Sequence, residues 1–306
     1  LPGQADRRQN PPVRTARHNS DLAGFLHNRQ RIFVLTGAGC STPSGIPAYR
    51  DERGDWMRRQ PITWQAFRGD PQARQRYWAR SMVGWQAFGR ANPNPAHHAL
   101  AALERAGHLS GLVTQNVDGL HQAAGHRQVI DLHGRLDTVL CVECGTRTLR
   151  RKMQERLLQA NPGWLDLVAE MAPDGDADLE GVDFACFSVP ACERCQGLLK
   201  PDVVLFGENV PGERVRQTMS WLEQSDALLI VGSSLRVFSG FRYARKAAEL
   251  GLPIAAINRG HTRADELIHV KVEDCCSHTL IETLELIQIK IDPAPADRMA
   301  ATTGLV

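Results

Sequence analysis

The most chemically loaded residues in this 306-residue chain are two cysteine pairs, Cys141-Val-Glu-Cys144 and Cys192-Glu-Arg-Cys195. Two residues between thiols let one tight turn aim both sulfurs at the same ion. Two such turns complete a tetrahedral set of four thiolates with no open position, which is the chemistry of a structural zinc site. The stretch between them, Gly145 to Ala191, is longer than the roughly 15–20 residues of a compact zinc ribbon. It includes Asp174-Gly-Asp-Ala-Asp178, which reads as a solvated loop, since its spacing and terminal residue do not fit a calcium loop. Cys186 is a rival ligand with no partner at the same spacing. A redox-active pair is the alternative chemistry, but nothing in the sequence sets either pair at a strand-to-helix turn.

A second constellation is Gly37-Ala-Gly39-Cys40-Ser41-Thr42-Pro43-Ser44-Gly45, directly after the apolar run Arg31-Ile-Phe-Val-Leu-Thr36. Glycines there let the backbone approach a pyrophosphate, and a following helix N-terminus favours its charge. Thr42 stands where the dinucleotide fingerprint has its third glycine, so the loop is a variant of that fingerprint. A tight turn without ligand is the other reading. Asp51 and Asp55 do not lie at a strand end, where a ribose-binding acid is needed, which disfavours an ordinary hydride-transferring dehydrogenase. His133 follows the run Val129-Ile-Asp-Leu132. A lone histidine is structural more often than catalytic, although its titration near neutrality suits general-base work. Tyr77 and Arg80, three apart, share one face if their stretch is helical.

The elements that must position these residues alternate. Strand candidates are Arg31–Thr36, Leu112–Thr114, Val129–Leu132, Val203–Phe206, Ala227–Val231 and Ile254–Ile257. They lack in/out alternation, as parallel strands covered on both faces do. Helical patterns cover Pro95–Ala106, Glu213–Gln224, Gly240–Leu250 and Cys276–Ile287. This predicts an α/β fold with a doubly wound parallel, Rossmann-like sheet. Two stretches interrupt it. Residues 47–94 hold four of the six tryptophans and read as a helical insertion, and residues 138–199 hold the paired cysteines. The expected layout is a lead-in over 1–20, a catalytic unit over 21–290 (sheet domain 21–46, 95–137 and 200–290), and a tail over 291–306. The lead-in and tail read as disordered. Lys plus Arg total 36 against 34 Asp plus Glu, a net charge of +2. That gives no general affinity for nucleic acid, and no apolar run reaches the roughly 20 residues of a membrane span.

Gly37-Ala-Gly-Cys-Ser-Thr-Pro-Ser-Gly-Ile-Pro-Ala-Tyr-Arg50, Thr114-Gln-Asn-Val-Asp118, Leu132-His-Gly134, the two cysteine pairs, Lys200-Pro-Asp-Val-Val-Leu-Phe-Gly-Glu208, Val231-Gly-Ser-Ser234 and Ile257-Asn258 occur in that order. Together they resemble the sirtuins, the NAD-dependent protein deacylases, from about Leu22 to Ile287. Arg76-Tyr-Trp-Ala-Arg80, Val83-Gly-Trp85 and Asn94-Pro-Ala-His97 further resemble the class II branch. That branch has a mitochondrial animal member of lipoamidase and ADP-ribosyltransferase type and many bacterial members. Ala48, Cys40 and Leu205 depart from the common family pattern.

The resemblance implies roles. His133 would be the general base, and Asn116 and Asp118 would hold the nicotinamide ribose and amide. Gln115 would touch the ribose. Gly37, Ala38, Gly39, Ser41, Tyr49 and Arg50 would form the cofactor loop. Gly232, Ser233, Ser234 and Asn258 would meet the phosphates and adenosine half, and Cys276 the adenine. The implied reaction is attack by the acyl-lysine carbonyl oxygen on C1′ of the nicotinamide ribose, with loss of nicotinamide. A ribose hydroxyl activated by His133 then traps the cation, and water releases lysine and acyl-ADP-ribose. The acyl-lysine peptide would add as a strand between Phe206-Gly207-Glu208 and Ser234-Leu235-Arg236, with Val204 accepting from the acyl amide. A Tyr-x-x-Arg pair binds acidic acyl groups in related class III sirtuins, so Tyr77 and Arg80 raise an expectation of longer or acidic acyl chains over acetyl. Competing functions are protein mono-ADP-ribosyl transfer, and a non-catalytic NAD sensor or zinc-ribbon module. Lysine occurs only at 152, 200, 246, 271 and 290. An arginine-dominated composition suits a GC-rich bacterial genome and a cytoplasmic protein, or the mitochondrial matrix if the source is eukaryotic.

Overall fold

The computed structural model describes residues 14–15, 19–57, 60–164, 176–177, 179 and 181–291. Of the expected lead-in, only Arg14, Thr15 and the chain from Asn19 fall inside this range. The tail after residue 291 and most of Asp174–Asp178 lie outside the described residues.

In chain order the strands are β1 (Arg14–Thr15), β2 (Ile32–Thr36), β3 (Leu109–Thr114), β4 (Val129–Asp131), β5 (Gly134–Cys141), β6 (Arg147–Leu149), β7 (Leu199–Val203), β8 (Ala227–Val231), β9 (Ile254–Ile257) and β10 (Val270–Val272). The helices are α1 (Asn19–His27), α2 (Trp64–Gly69), α3 (Pro71–Phe88), α4 (Pro95–Arg105), α5 (Leu120–Ala123), α6 (Arg150–Ala160), α7 (Gly212–Glu223), α8 (Phe238–Glu249) and α9 (Cys276–Leu286). Seven strands form a parallel sheet in the order β1-β10-β9-β8-β2-β3-β4. The period of two along each strand divides the core. Ile32, Val34, Leu229 and Ala255 face α1, α4 and α9, whereas Phe33, Leu35, Leu228, Ile230 and Ala256 face α7 and α8. Both faces are covered, so every residue of β2, β8 and β9 is buried.

Local chemistry sets the helix starts. Asn94 caps α4 in a capping box with His97, and Pro95 fills the first turn. Asp70 caps α3 through Gln72 N–H, with Pro71 behind it, and Thr63 caps α2. Both of these helices fall within the 47–94 stretch.

The expectation of a parallel strand at Val203–Phe206 is corrected. The strand there is β7, Leu199–Val203, and it pairs antiparallel with β5 in a separate three-stranded sheet ordered β6-β5-β7. As an edge strand, β7 tolerates Pro201 and its missing N–H. β5 starts at Gly134, whose φ is +84°, and a Cβ there would collide with the Asp202 carbonyl oxygen across the ladder. Around this sheet Trp78, Met82, Val139, Met153, Leu157 and Phe187 form a third cluster joining α3 to α6 and the cysteine turns.

Candidate active site

The glycine loop leaves β2 where its two neighbours are β8 and β3, the switch point of a doubly wound sheet. Gly37 N–H donates to Val231 O (3.0 Å) and Gly39 N–H to Gly232 O (2.9 Å), which pins the loop to the end of β8. The approach leaves no room for side chains: a Cβ on Gly37 would lie 2.7 Å from Ser233 Cβ. A cavity of about 650 Å³ opens beside the loop. Gly37, Ala38, Gly39, Tyr49 and Arg50 border it on one side. Gly232, Ser233, Ser234, Asn258 and Cys276 border it across the sheet ends. These are the residues expected to hold a dinucleotide, and the close glycine backbone is the cradle that such a ligand needs.

Behind the loop lies a chain of hydrogen bonds. Asn116 Nδ2 donates to Gly37 O (3.0 Å) and Ser41 Oγ (2.9 Å). The Ser41 hydroxyl donates to Asp118 Oδ2 (2.7 Å), and Asp118 Oδ1 accepts from Leu120 N–H (2.9 Å). Asn116 borders the cavity, but Ser41 and Asp118 do not, so they brace the loop from behind. Burial raises the Asp118 carboxyl above the usual range, opposed by the Leu120 and Ser41 hydrogen bonds and the Arg135 charge. Gln115 borders the cavity, and its Oε1 accepts from the Ser233 hydroxyl (2.6 Å).

His133 follows β4 and also borders the cavity. Its Nδ1 lies 3.0 Å from the Gln115 carbonyl oxygen. A carbonyl only accepts, so Nδ1 carries the proton and the Nε2 lone pair is left as the basic site. Nε2 lies 2.8 Å from Ser239 Oγ. Burial lowers the His133 pKa to about 4, with the Gln115 carbonyl opposing and the Arg214 and Arg242 charges assisting. The ring is therefore neutral near pH 7, with one basic nitrogen. Val204 N–H donates to His133 O (2.7 Å), which ties the next wall of the cavity to this residue.

That wall carries Val204, Leu205 and Phe206, faced by Ser234 and Leu235. Leu235 holds a φ of +55°, a left-handed conformation that costs about 1–3 kcal/mol for a residue other than glycine. Such strain gathers at ligand clamps. Phe206 stacks edge-on with Tyr49 and Trp56, and the Arg50 guanidinium lies 3.8 Å from the Trp56 ring centroid. Gly207 and Glu208 do not border the cavity. Glu208 instead accepts from Lys200 Nζ (2.8 Å) and Leu205 N–H (3.0 Å), which fixes the turn carrying Phe206. Tyr77 is buried, borders the cavity, and packs edge-on against Phe67 and Trp78. The expectation that Arg80 joins Tyr77 there is corrected. Arg80 does not border the cavity, and its Nε donates to Ala177 O (2.8 Å) while Ala177 N–H donates to Arg80 O (2.9 Å). One helical face is wide enough for two neighbours to meet different surroundings.

The four sulfurs of Cys141, Cys144, Cys192 and Cys195 lie within 4.8 Å of one another. The Cys141–Cys195 and Cys144–Cys192 separations are 3.5 and 3.8 Å. At a Zn–S bond of about 2.3 Å a tetrahedron needs sulfurs roughly 3.8 Å apart, so the set fits zinc. Cys186 is exposed and outside it.

A second group, Cys40, His97 and His121, has metal-ligating atoms equally close. His97 argues against a metal there. Its Nδ1 accepts from Asn94 N–H (3.2 Å), which leaves the proton on Nε2, facing Ser41 Oγ at 3.5 Å. Two further rings, His121 and His126, extend the cluster at centroid distances of 4.8 and 5.3 Å, the first tilted and the second edge-on. Sequence patterns marked His97 only within the Asn94–His97 stretch and gave no role to His121, His126 or Ser239, because each meets its partner only through the fold. Burial is the leading cause lowering His97 to about 3, His126 to about 4 and His121 well below its ordinary value. The unfolded chain then binds more protons than the native one below about pH 6.5, so stability falls with falling pH. Thermal unfolding is expected at steadily lower temperature from about pH 6.5 down to about 4. A flat profile over that window would refute the neutral histidine cluster.

The sequence profile of the Sir2 family matches residues 37–239. A relative named NAD-dependent protein deacetylase 2, from Bradyrhizobium diazoefficiens, is 60% identical over 262 residues, covering 86% of this chain and 96% of its own. An NAD-dependent protein deacetylase from Xanthomonas campestris pv. campestris is 61% identical over 259 residues, 85% of this chain and 88% of that one. Among solved structures, a Sir2 enzyme superposes with a TM-score of 0.71 at 31% identity, covering 88% of this chain and 97% of that chain. A Sir2 complex with p53 peptide and NAD+ gives 0.70 at 27% identity, with 89% and 100% covered.

Proposed function

The chain belongs to the Sir2 family, and from that premise we propose that it is an NAD-dependent protein lysine deacetylase. The observation that carries this reading is His133, which borders the cavity cradled by the glycine loop as a neutral imidazole with its proton held on Nδ1 and Nε2 left as the basic site. NAD, when bound, supplies an activated ribose carbon from which nicotinamide departs. The protein's part is to hold and to move protons. Gly37, Gly39 and Gly232 let the backbone close on the phosphates, and Asn116 with Ser41 and Asp118 keeps the loop rigid. His133 Nε2 takes the proton of a ribose hydroxyl, and the buried surroundings exclude water until acyl transfer. On this reading the sheet unit (21–46, 95–137, 200–290) binds NAD, the 47–94 stretch covers it, and 138–199 holds zinc.

The acyl-lysine peptide is taken as an added strand between the Phe206 and Leu235 walls, supported by the strained backbone at Leu235. The residues Arg76–Arg80, Val83–Trp85 and Asn94–His97, on α3 and at the start of α4, support placement in the class II branch. The acyl end is bounded by Tyr77, Ile62 and Leu205, which favours uncharged chains, including chains longer than acetyl. No helix among the described residues is long and apolar enough to cross a membrane; the bacterial relatives support a bacterial enzyme, which we place in the cytoplasm.

The test is a panel of acetyl, glutaryl-type and long fatty-acyl peptides with NAD, scored by mass spectrometry. Equimolar nicotinamide and acyl-ADP-ribose are expected, and ADP-ribose attached to protein would favour transferase activity instead. Because Arg80 serves Ala177, Arg80→Met is expected to leave the ranking of the acyl groups unchanged. A selective loss of the acidic peptide would return Arg80 to the acyl pocket.

A further inference from the structure

Ser239 is the second residue of α8 and is almost wholly buried. A serine at a helix start usually bonds a free backbone N–H. Here Val237 is the cap residue and no side chain caps the helix. Among the described residues the Ser239 hydroxyl has one partner, His133 Nε2 at 2.8 Å. Since Nδ1 holds the ring proton against the Gln115 carbonyl, the Ser239 hydroxyl must be the donor and Nε2 the acceptor. The neighbouring residue reinforces the contact. A Cβ on Gly240 would lie 2.6 Å from Gln115 Nε2, so α8 packs directly against the residue whose carbonyl holds the other ring nitrogen. The two ends of one helix–loop contact therefore hold both nitrogens of the same imidazole.

We propose that Ser239 is a positioning residue for His133: its hydroxyl holds the imidazole in the one orientation and tautomer in which Nε2 accepts a proton. The inference rests on the reading of His133 as the general base. Before substrate arrives, the hydroxyl satisfies a lone pair that would otherwise be buried without a partner. When a ribose hydroxyl reaches Nε2, its O–H bond breaks and an N–H bond forms. The Ser239 oxygen, freed of its donor duty, can then turn to accept from the charged ring. The O–H electron pair stays on the ribose oxygen, which uses it to bond the acyl-derived carbon, and no other protein group changes its bonding.

The experiment compares the full-length protein with Ser239→Ala and Ser239→Thr. In Ser239→Ala, acyl-ADP-ribose formation is expected to fall roughly ten- to a hundredfold, the scale of leaving one buried acceptor unpaired. Exchange of labelled nicotinamide into NAD, which precedes base action, should be nearly unchanged. The Nε2 resonance of nitrogen-15-labelled His133 should move in Ser239→Ala and stay in Ser239→Thr, and the threonine variant should recover most of the rate. An unmoved resonance in Ser239→Ala would overturn the proposal. So would exchange falling in step with product formation, or a threonine variant that keeps the resonance but remains slow. If the unsubstituted enzyme forms no acyl-ADP-ribose, the deacetylase reading fails, while the resonance still decides whether Ser239 holds the ring.

Discussion

His133→Ala is expected to slow acetyl-ADP-ribose formation by roughly 10²- to 10⁴-fold, the usual contribution of a positioned general base. Three features of the ring set this effect. The Gln115 carbonyl fixes its proton on Nδ1, burial lowers its pKa to about 4, and its Nε2 lies 2.8 Å from the Ser239 hydroxyl. The ring is thus neutral near pH 7 with one unprotonated nitrogen, and alanine removes that acceptor without removing a charge. The loop that would hold NAD is braced separately, through Asn116, Ser41 and Asp118. NAD affinity measured by calorimetry should therefore change little while turnover collapses. Equal product formation by the variant and the parent enzyme would remove His133 from the base role.

Loss of one zinc ligand should be as severe for the fold. The sheet β6-β5-β7 has only three strands, and its core cluster includes Cys141 and Cys192 themselves. A module this small leans on its metal, and structural zinc contributes about 10–16 kcal/mol of apparent binding energy in zinc-finger peptides near pH 7. Cys141→Ser, which removes the thiolate at the end of β5, is expected to bring zinc content from one ion per chain to nearly none. Hydrogen exchange should then accelerate in β5, β6 and β7, while β2, β8 and β9 stay protected by their two-sided core. Activity should fall as well, because β7 leads into the Val204–Phe206 wall. Full zinc content in the variant, by elemental analysis, would show that the four sulfurs do not form one site.

The parallel sheet was largely legible in the sequence, and the physical reason is burial on both faces. Ala227–Val231 and Ile254–Ile257 are continuous apolar runs that the fold keeps as β8 and β9 without a shift. The zinc-bearing sheet was not legible. β5 reads Gly-Arg-Leu-Asp-Thr-Val-Leu-Cys with only half its residues buried, and β7 contains a proline. Antiparallel strands of this kind take their register from partners distant in sequence. The cysteine pairs announced their own association because the turn geometry is local. Tyr77 and Arg80 were separable only once Ala177 was seen to engage Arg80. Ser239 is 106 positions from His133, and no pattern of residue types links the two.

The peptide that follows His133 has a consequence for reading mutations. Gly134 sits at the junction of the proposed base with the zinc-bearing sheet, and its missing side chain is demanded by the Asp202 carbonyl and a positive φ rather than by any reacting group. An alanine there would displace its neighbour while touching no substrate. Screens that score activity alone would count positions 133 and 134 as one functional pair. If both positions prove intolerant, the proposed base role accounts for the first and backbone clearance for the second. An inactive variant at 134 is therefore evidence about assembly, and only a variant at 133 that still folds is evidence about chemistry.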